Sequence, residues 1–135
     1  MEEFGELTGN LIIFLFALEA FRFVLKFIFK NYGRWIKANT SLHPLLLKAM
    51  NLNKLFHPWM GYFTIAMIVF HAFIQTNGFA FLSTTGLIAA AFMSAEVLVG
   101  FIGTYLMKKP RPKYWIWIHR LIPVFTLIAI LIHND

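Results

Sequence analysis

Two stretches with the same histidine spacing decide the fold, HPWMGYFTIAMIVFH at residues 57–71 and HRLIPVFTLIAILIH at residues 119–133. Each stretch is mostly apolar between its two histidines and places them 14 residues apart. In an α-helix, 14 residues rise about 21 Å and return to nearly the same face. The spacing therefore predicts two long helices, each with one imidazole near either edge of a membrane's hydrocarbon layer.

The composition of the chain is that of a protein surrounded by lipid. Of its 135 residues, 59% are hydrophobic and only 13% are charged, whereas a soluble domain has about a quarter charged residues. The absence of cysteine excludes disulfides, thiolate iron–sulfur clusters, covalently attached haem and a cysteine nucleophile. The net charge of +6 comes from basic residues at the ends of apolar runs, so no nucleic-acid partner is expected.

Four apolar segments are long enough to cross a membrane, which takes about 20 residues. They are residues 10–30, 57–76, 86–107 and 115–133. Residues 44–56 mix leucines with lysines and asparagines, which favours a short helix lying in the membrane interface. We predict an all-α, integral membrane, up-down-up-down four-helix bundle, with residues 1–135 forming one domain. The two hairpins do not align as an internal repeat.

The distribution of basic residues predicts the orientation. All 12 Lys and Arg residues fall in the first and third connections or in the adjoining halves of the helices. Because basic residues are retained in the cytoplasm, we expect this side to be inner and both termini to lie outside. Four tryptophans on the same side are expected to anchor the chain at the interface, namely Trp35, Trp59, Trp115 and Trp117. The predicted location is the plasma (inner) membrane of a prokaryote.

The four histidines of the second and fourth helices are expected to pair across the bundle. These two helices run in the same direction, so His57 lies level with His119 on the inner side and His71 with His133 on the outer side. An imidazole on each face of a haem leaves no open iron position, which favours electron transfer over oxygen binding. Ionisable residues inside a membrane are usually functional. We predict two non-covalent, bis-histidine haems b, stacked across the bilayer.

Other interpretations of the histidines stay open. The same four residues are compatible with a metal or proton pathway, or with chlorophyll-type pigments, which need one axial ligand each. His43 also lies 14 residues from His57, but its polar surroundings favour an ordinary loop histidine. Pro58 disfavours helical geometry at His57, so His57 is expected in the first turn of its helix. Three glycines permit close approach of helices or of a macrocycle, namely Gly61, Gly100 and Gly103.

Charged residues near the predicted haems suggest further roles. Four cations are suited to pair with the propionates of the inner haem, namely Arg120, Lys54, Arg22 and Lys26. Alternatively, they serve only to set the topology. The outer propionates would use Gln75, Thr76, Asn77, Thr84, Thr85 or Asn134, water, or a partner subunit. Because cations favour the reduced iron, we expect the inner haem to have the higher potential. The buried carboxylates Glu19 and Glu96 are expected to form structural ion pairs with arginine, or else a proton route or quinone site.

The segments HPWMGY at 57–62, leading to His71, and WIHRL at 117–121, leading to His133, resemble a known haem-b core. This is the transmembrane core of ferric reductases and NADPH oxidases, and of the haem subunit of a bacterial methionine-sulfoxide reductase system. The alternate-helix ligation is also similar to the four-helix core of quinol-oxidising cytochromes b. The resemblance covers roughly residues 55–135 and implies haem ligation and transmembrane electron transfer. Ferric-reductase-like proteins commonly have six helices and a fused flavin and nicotinamide domain, whereas this sequence predicts four and has no Rossmann glycine loop.

These features together predict the membrane subunit of a larger oxidoreductase rather than a complete enzyme, with no catalytic residue of its own. The expected partners are lipid, redox subunits on one or both faces (a flavoprotein, iron–sulfur protein or c-type cytochrome), and a quinone in one variant of the hypothesis. Two alternatives remain, a stand-alone ferric or superoxide-type reductase core and a non-haem metal or proton transport protein.

Overall fold

The computed structural model describes residues 2–134, and within that range the chain is all-helical, without a β-strand. The helices are α1 (Glu2–Asn39), α2 (His43–Gln75), α3 (Thr84–Phe101) and α4 (Lys113–Asn134). A π-helical segment, Ile102–Leu106, continues α3. The all-α prediction is thus confirmed, whereas Met1 and Asp135, the ends predicted to lie outside the cell, are not among the described residues.

Helix α2 is longer than the sequence predicts. It begins at His43 and includes residues 44–56, which were expected to form a separate interfacial helix. Pro58 lies inside α2, so the expectation that His57 occupies a first turn is wrong. A proline removes only one backbone N–H from a helix, and the other hydrogen bonds of this 33-residue helix keep it continuous. Pro123 is accommodated within α4 in the same way.

The helices pack as two antiparallel hairpins, α1 with α2 and α3 with α4, which meet mainly through α2 and α3. His57 of α2 meets His119 of α4. The common direction of α2 and α4 and the pairing of His71 with His133 stay predictions. The backbones of these two helices make almost no close contact, which leaves room between them.

The interior of the protein is unusually polar. Five of its buried side chains are polar or charged, namely Thr8, Glu19, Thr64, Glu96 and Thr126, and two of these, Thr64 and Thr126, are completely buried. Large apolar side chains instead cover the outside, where Phe81, for example, is 84% exposed. This is the reverse of the usual arrangement in a water-soluble protein. Extended apolar surfaces of this kind mark sites of interaction with a membrane or another protein.

The surface is also larger than that of a compact soluble protein. The chain exposes 9783 Å², whereas a compact protein of its mass, 15.7 kDa, exposes about 7,300 Å². Three helical segments are long and apolar enough to cross a membrane, and these are His43–Gln75, Thr84–Leu106 and Lys113–Asn134. The prediction of membrane-spanning helices is thus supported for α2, α3 and α4.

Candidate functional site

The rings of His57 and His119 meet edge to face between α2 and α4. Their centroids are 6.1 Å apart and their planes are inclined at 78°. Both histidines line a cavity of about 590 Å³ at the basic end of the bundle. Cofactor and ligand pockets usually have about 300–1,000 Å³. The pairing of these two residues, expected from their spacing alone, is therefore present beside a space of cofactor size.

His119 is held from two sides. Glu96 Oε1 lies 2.8 Å from His119 Nδ1, although the ring N–H does not point at the oxygen and the nitrogen has no aligned partner. The indole of Trp115 stacks on the imidazole, with centroids 4.9 Å apart and planes inclined at 20°. Both contacts restrict the orientation of the His119 ring.

Trp115 is itself fixed by several contacts. Its Nε1–H donates a hydrogen bond to the carbonyl oxygen of Val99, at 3.0 Å, and the Arg111 guanidinium lies 4.9 Å from its ring centroid. Arg111 Nε also donates to the carbonyl oxygen of Gly103. Trp115 is buried, so its expected role as an interfacial anchor is wrong. The exposed Trp35, Trp59 and Trp117 remain suited to that role.

His57 has a different environment from His119. Its Nδ1 is buried and has no hydrogen-bond partner. No other described residue holds this nitrogen, although buried polar side-chain atoms in proteins are usually paired. His57 is thus the one histidine of the four whose Nδ1 has no side-chain oxygen in contact.

The two outer histidines each contact a threonine hydroxyl. Thr8 Oγ1 lies 2.9 Å from His71 Nδ1, and Thr85 Oγ1 lies 3.1 Å from His133 Nδ1. Contacts of this kind fix the ring orientation and leave Nε2 free to bind a metal. Thr85, expected among the outer propionate partners, instead contacts the predicted ligand itself. The sequence did not point to Thr8.

Glycines lie against three of the four rings. A Cβ at Gly9 would lie 3.4 Å from His71 Cε1, one at Gly86 would lie 3.1 Å from His133 Cε1, and one at Gly100 would lie 3.5 Å from His119 Cε1. Of these, only Gly100 was singled out from the sequence. The sequence contains a feature that the other two share, because Gly9 and Gly86 each follow a threonine.

Six cations line the cavity, and these are Arg22, Lys26, Lys54, Lys109, Arg111 and Arg120. Four of them were expected near the inner pair from the sequence, whereas Lys109 and Arg111 of the third connection were not. The third connection thus folds back over the cavity instead of only joining two helices. The role of these cations toward a cofactor, including that of Arg120 and Lys54, stays a prediction.

The carboxylates make other contacts than those expected. Glu19 accepts a hydrogen bond from the Thr64 hydroxyl at 3.0 Å, and Glu96 contacts His119. Among the described residues, this last contact is the only one between an acidic and a basic side chain. The expected ion pairs with arginine are therefore wrong, because Thr64 and His119 lie closer to the two carboxylates.

His43 lies away from this site. It is the first residue of α2 and not part of a loop, and its ring is 6.3 Å from that of Phe29. It does not line the cavity that contains His57 and His119.

Comparison with protein-family models, characterised proteins and solved structures finds no match to this chain. Among residues 2–134, no group of three or more His, Asp or Glu side chains is arranged to hold a bare metal ion. A haem takes only two axial ligands from the protein, so the paired histidines are compatible with it.

Proposed function

We propose that this chain carries electrons across a membrane through two stacked haems b, each held by a histidine of α2 and a histidine of α4. His57 and His119 bind the inner iron, and His71 and His133 bind the outer iron. The chain acts as the membrane subunit of a larger oxidoreductase. It lies in the plasma (inner) membrane with four crossings and both termini outside.

The observation that carries this proposal is the separation of the His57 and His119 rings. Two imidazoles bound to opposite sides of one metal ion, each at about 2 Å, have ring centroids about 6 Å apart. The observed separation is 6.1 Å. Two rings packed edge to face without a metal have similar separations, so the proposal also depends on the cavity of about 590 Å³ that both histidines line.

The surroundings of the two rings also suit a haem. When bound, a haem supplies an iron that accepts and releases one electron. A histidine on each side would hold the haem and leave no open position on the iron for oxygen. The cations around the cavity are suited to the two propionates, because guanidinium groups pair with carboxylates through two parallel hydrogen bonds. Arg120 and Lys54 are our assignments for this role.

The outer pair completes a path across the bundle. Along α2, His57 and His71 are separated by about 21 Å of helix rise, which is most of the roughly 30 Å thickness of a bilayer core. Thr8 and Thr85 orient the outer rings through Nδ1. Electrons would enter at one face, from a flavoprotein, an iron–sulfur protein, a c-type cytochrome or a membrane quinol, and leave at the other.

The proposal is tested by the haem content of the protein purified in detergent. We expect the wild type to contain two extractable, non-covalent haems b per chain, and His71→Ala to retain one low-spin haem. His43→Ala is the matched control, since it removes a histidine outside the cavity and is expected to retain both. A colourless wild type, from cells supplied with haem, would contradict the proposal and favour a transport function.

A further inference from the structure

Helices α2 and α4 share a third residue between their paired histidines. Thr64 lies seven residues from both His57 and His71, and Thr126 lies seven residues from both His119 and His133. Both threonines are completely buried. Each also donates a hydrogen bond to the carbonyl oxygen four residues earlier, in Met60 for Thr64 and in Ile122 for Thr126. The two helices therefore correspond in the spacing of these three residues, in the burial of the threonine and in its hydrogen bond to its own helix.

Helices α1 and α3 repeat one another in the same way. Each contains a Thr-Gly pair followed ten residues later by a glutamate, Thr8-Gly9 and Glu19 in α1 and Thr85-Gly86 and Glu96 in α3. In both hairpins the threonine contacts Nδ1 of the outer histidine, and the glycine lies against its Cε1. The expectation that the hairpins contain no internal repeat is wrong. The matching contacts of the two threonines and two glycines support the correspondence between the hairpins.

The repeat is incomplete at one place. In the second hairpin, Glu96 contacts Nδ1 of the inner histidine, His119. In the first hairpin, the corresponding residues are Glu19 and His57. Glu19 instead accepts a hydrogen bond from Thr64, and His57 Nδ1 is buried without a partner. Both residues line the same cavity.

We infer that Glu19 is the positioning partner of His57 Nδ1 when the inner site is loaded, as Glu96 is for His119. This inference rests on the proposed haem ligation. Glu19 reaches His57 by leaving the Thr64 hydroxyl, which still has the Met60 carbonyl oxygen as an acceptor at 2.8 Å. Thr64 then has the same bonding as Thr126, whose hydroxyl donates only to its own helix. The exchange satisfies the buried Nδ1 and leaves no donor without an acceptor.

This change of partner would make the inner and outer haem sites differ in the group that contacts Nδ1 of their ligands. Both inner ligands would donate their Nδ1–H to a carboxylate, and both outer ligands would contact a threonine hydroxyl. A carboxylate partner fixes the tautomer with Nε2 toward the metal and makes the imidazole a stronger ligand. The affinity for the inner haem is then higher than it would be if His57 Nδ1 had no partner.

The test compares Glu19→Gln, Glu19→Ala and Glu96→Gln with Thr64→Val, using haem affinity and the midpoint potentials of both haems. We expect Glu19→Ala to lower inner-haem affinity by about 10- to 100-fold, the usual effect of losing such a partner. Glu19→Gln and Glu96→Gln should both raise the inner midpoint potential, because each removes a negative charge beside a ligand. The outer potential should not change, and a retained outer haem reports correct folding.

Thr64→Val separates a positioning role from a structural one. If Glu19 acts on His57, this variant retains inner-haem affinity and potential, because it removes only the Thr64 hydroxyl, which Glu19 no longer contacts in the loaded protein. If Glu19 serves only to pair with Thr64, then Thr64→Val reproduces the loss seen in Glu19→Ala, and the inference is overturned. An unchanged inner potential in Glu19→Gln, with both haems present, also overturns it. A wild type without haem instead refutes the proposed function.

Discussion

The imidazole rings of His57 and His119 lie 6.1 Å apart, with their planes inclined at 78°. The separation fits two ligands on one metal ion, and the inclination has a consequence of its own. Nearly perpendicular axial imidazoles interact about equally with the two iron d orbitals that lie across the macrocycle plane. These two orbitals therefore stay close in energy, whereas parallel rings would separate them.

The perpendicular rings predict the magnetic spectrum of the oxidised inner haem. We expect a highly anisotropic low-spin signal in electron paramagnetic resonance, recorded on His71→Ala so that only the inner haem contributes. Parallel rings would give an ordinary rhombic low-spin spectrum. A rhombic signal, or a high-spin signal that indicates only one histidine ligand, would contradict the ligand geometry proposed for this pair.

Gly103 is predicted to be essential for the position of Trp115. A Cβ at this residue would overlap the Trp115 ring, whereas one at Gly100 would meet His119 at an ordinary 3.5 Å. We expect Gly103→Ala to destabilise the fold by about 1–3 kcal/mol through overpacking. The measurement is thermal unfolding in detergent, followed by tryptophan fluorescence.

Gly100→Ala is the matched control for this prediction. Alanine raises helix propensity by about 1 kcal/mol at a regular helical position such as Gly100, whereas Gly103 lies in the π-helical segment. The overlap with Trp115 is therefore shown by a loss of stability in Gly103→Ala that Gly100→Ala does not share. Equal unfolding temperatures for the two variants would show that the indole moves without cost.

The cations around the cavity are predicted to raise the potential of the inner haem. Arg120→Gln should lower it by an amount equivalent to about 1 kcal/mol, or roughly 40 mV for a one-electron couple. Arg34→Gln removes an exposed cation that does not line the cavity, and we expect no comparable shift. A redox titration in which both variants shift equally would mean that only the overall charge matters. In the wild type, the inner haem should have the higher potential of the two.

The sequence predicts the architecture well where one periodic pattern dominates. The spacing of His57, His71, His119 and His133 was enough to predict the meeting of His57 with His119. Helix ends were less predictable, because Pro58 was expected to start a helix that in fact continues through it. Local preference disfavours helix at that position, but the long helix loses only one backbone hydrogen bond there.

Contacts between helices were the least predictable part of the site. The sequence places Glu19 and Arg22 one turn apart, which favours an ion pair. Only the packing of α1 on α2 brings Thr64 to Glu19 instead. The contacts of Thr8 and Thr85 with the outer histidines likewise depend on which helices are neighbours. No periodicity within one helix contains that information.

The most direct test of the account is electron transfer across a sealed membrane. The haem-loaded protein would be placed in liposomes that contain ferricyanide, and dithionite would be added outside. We predict that the internal ferricyanide is reduced with wild-type protein and with His43→Ala. With His71→Ala, which interrupts the path at the outer haem, we predict no reduction above that of protein-free liposomes. Equal rates for wild type and His71→Ala, or no reduction with a wild type that contains both haems, would contradict the proposed electron path.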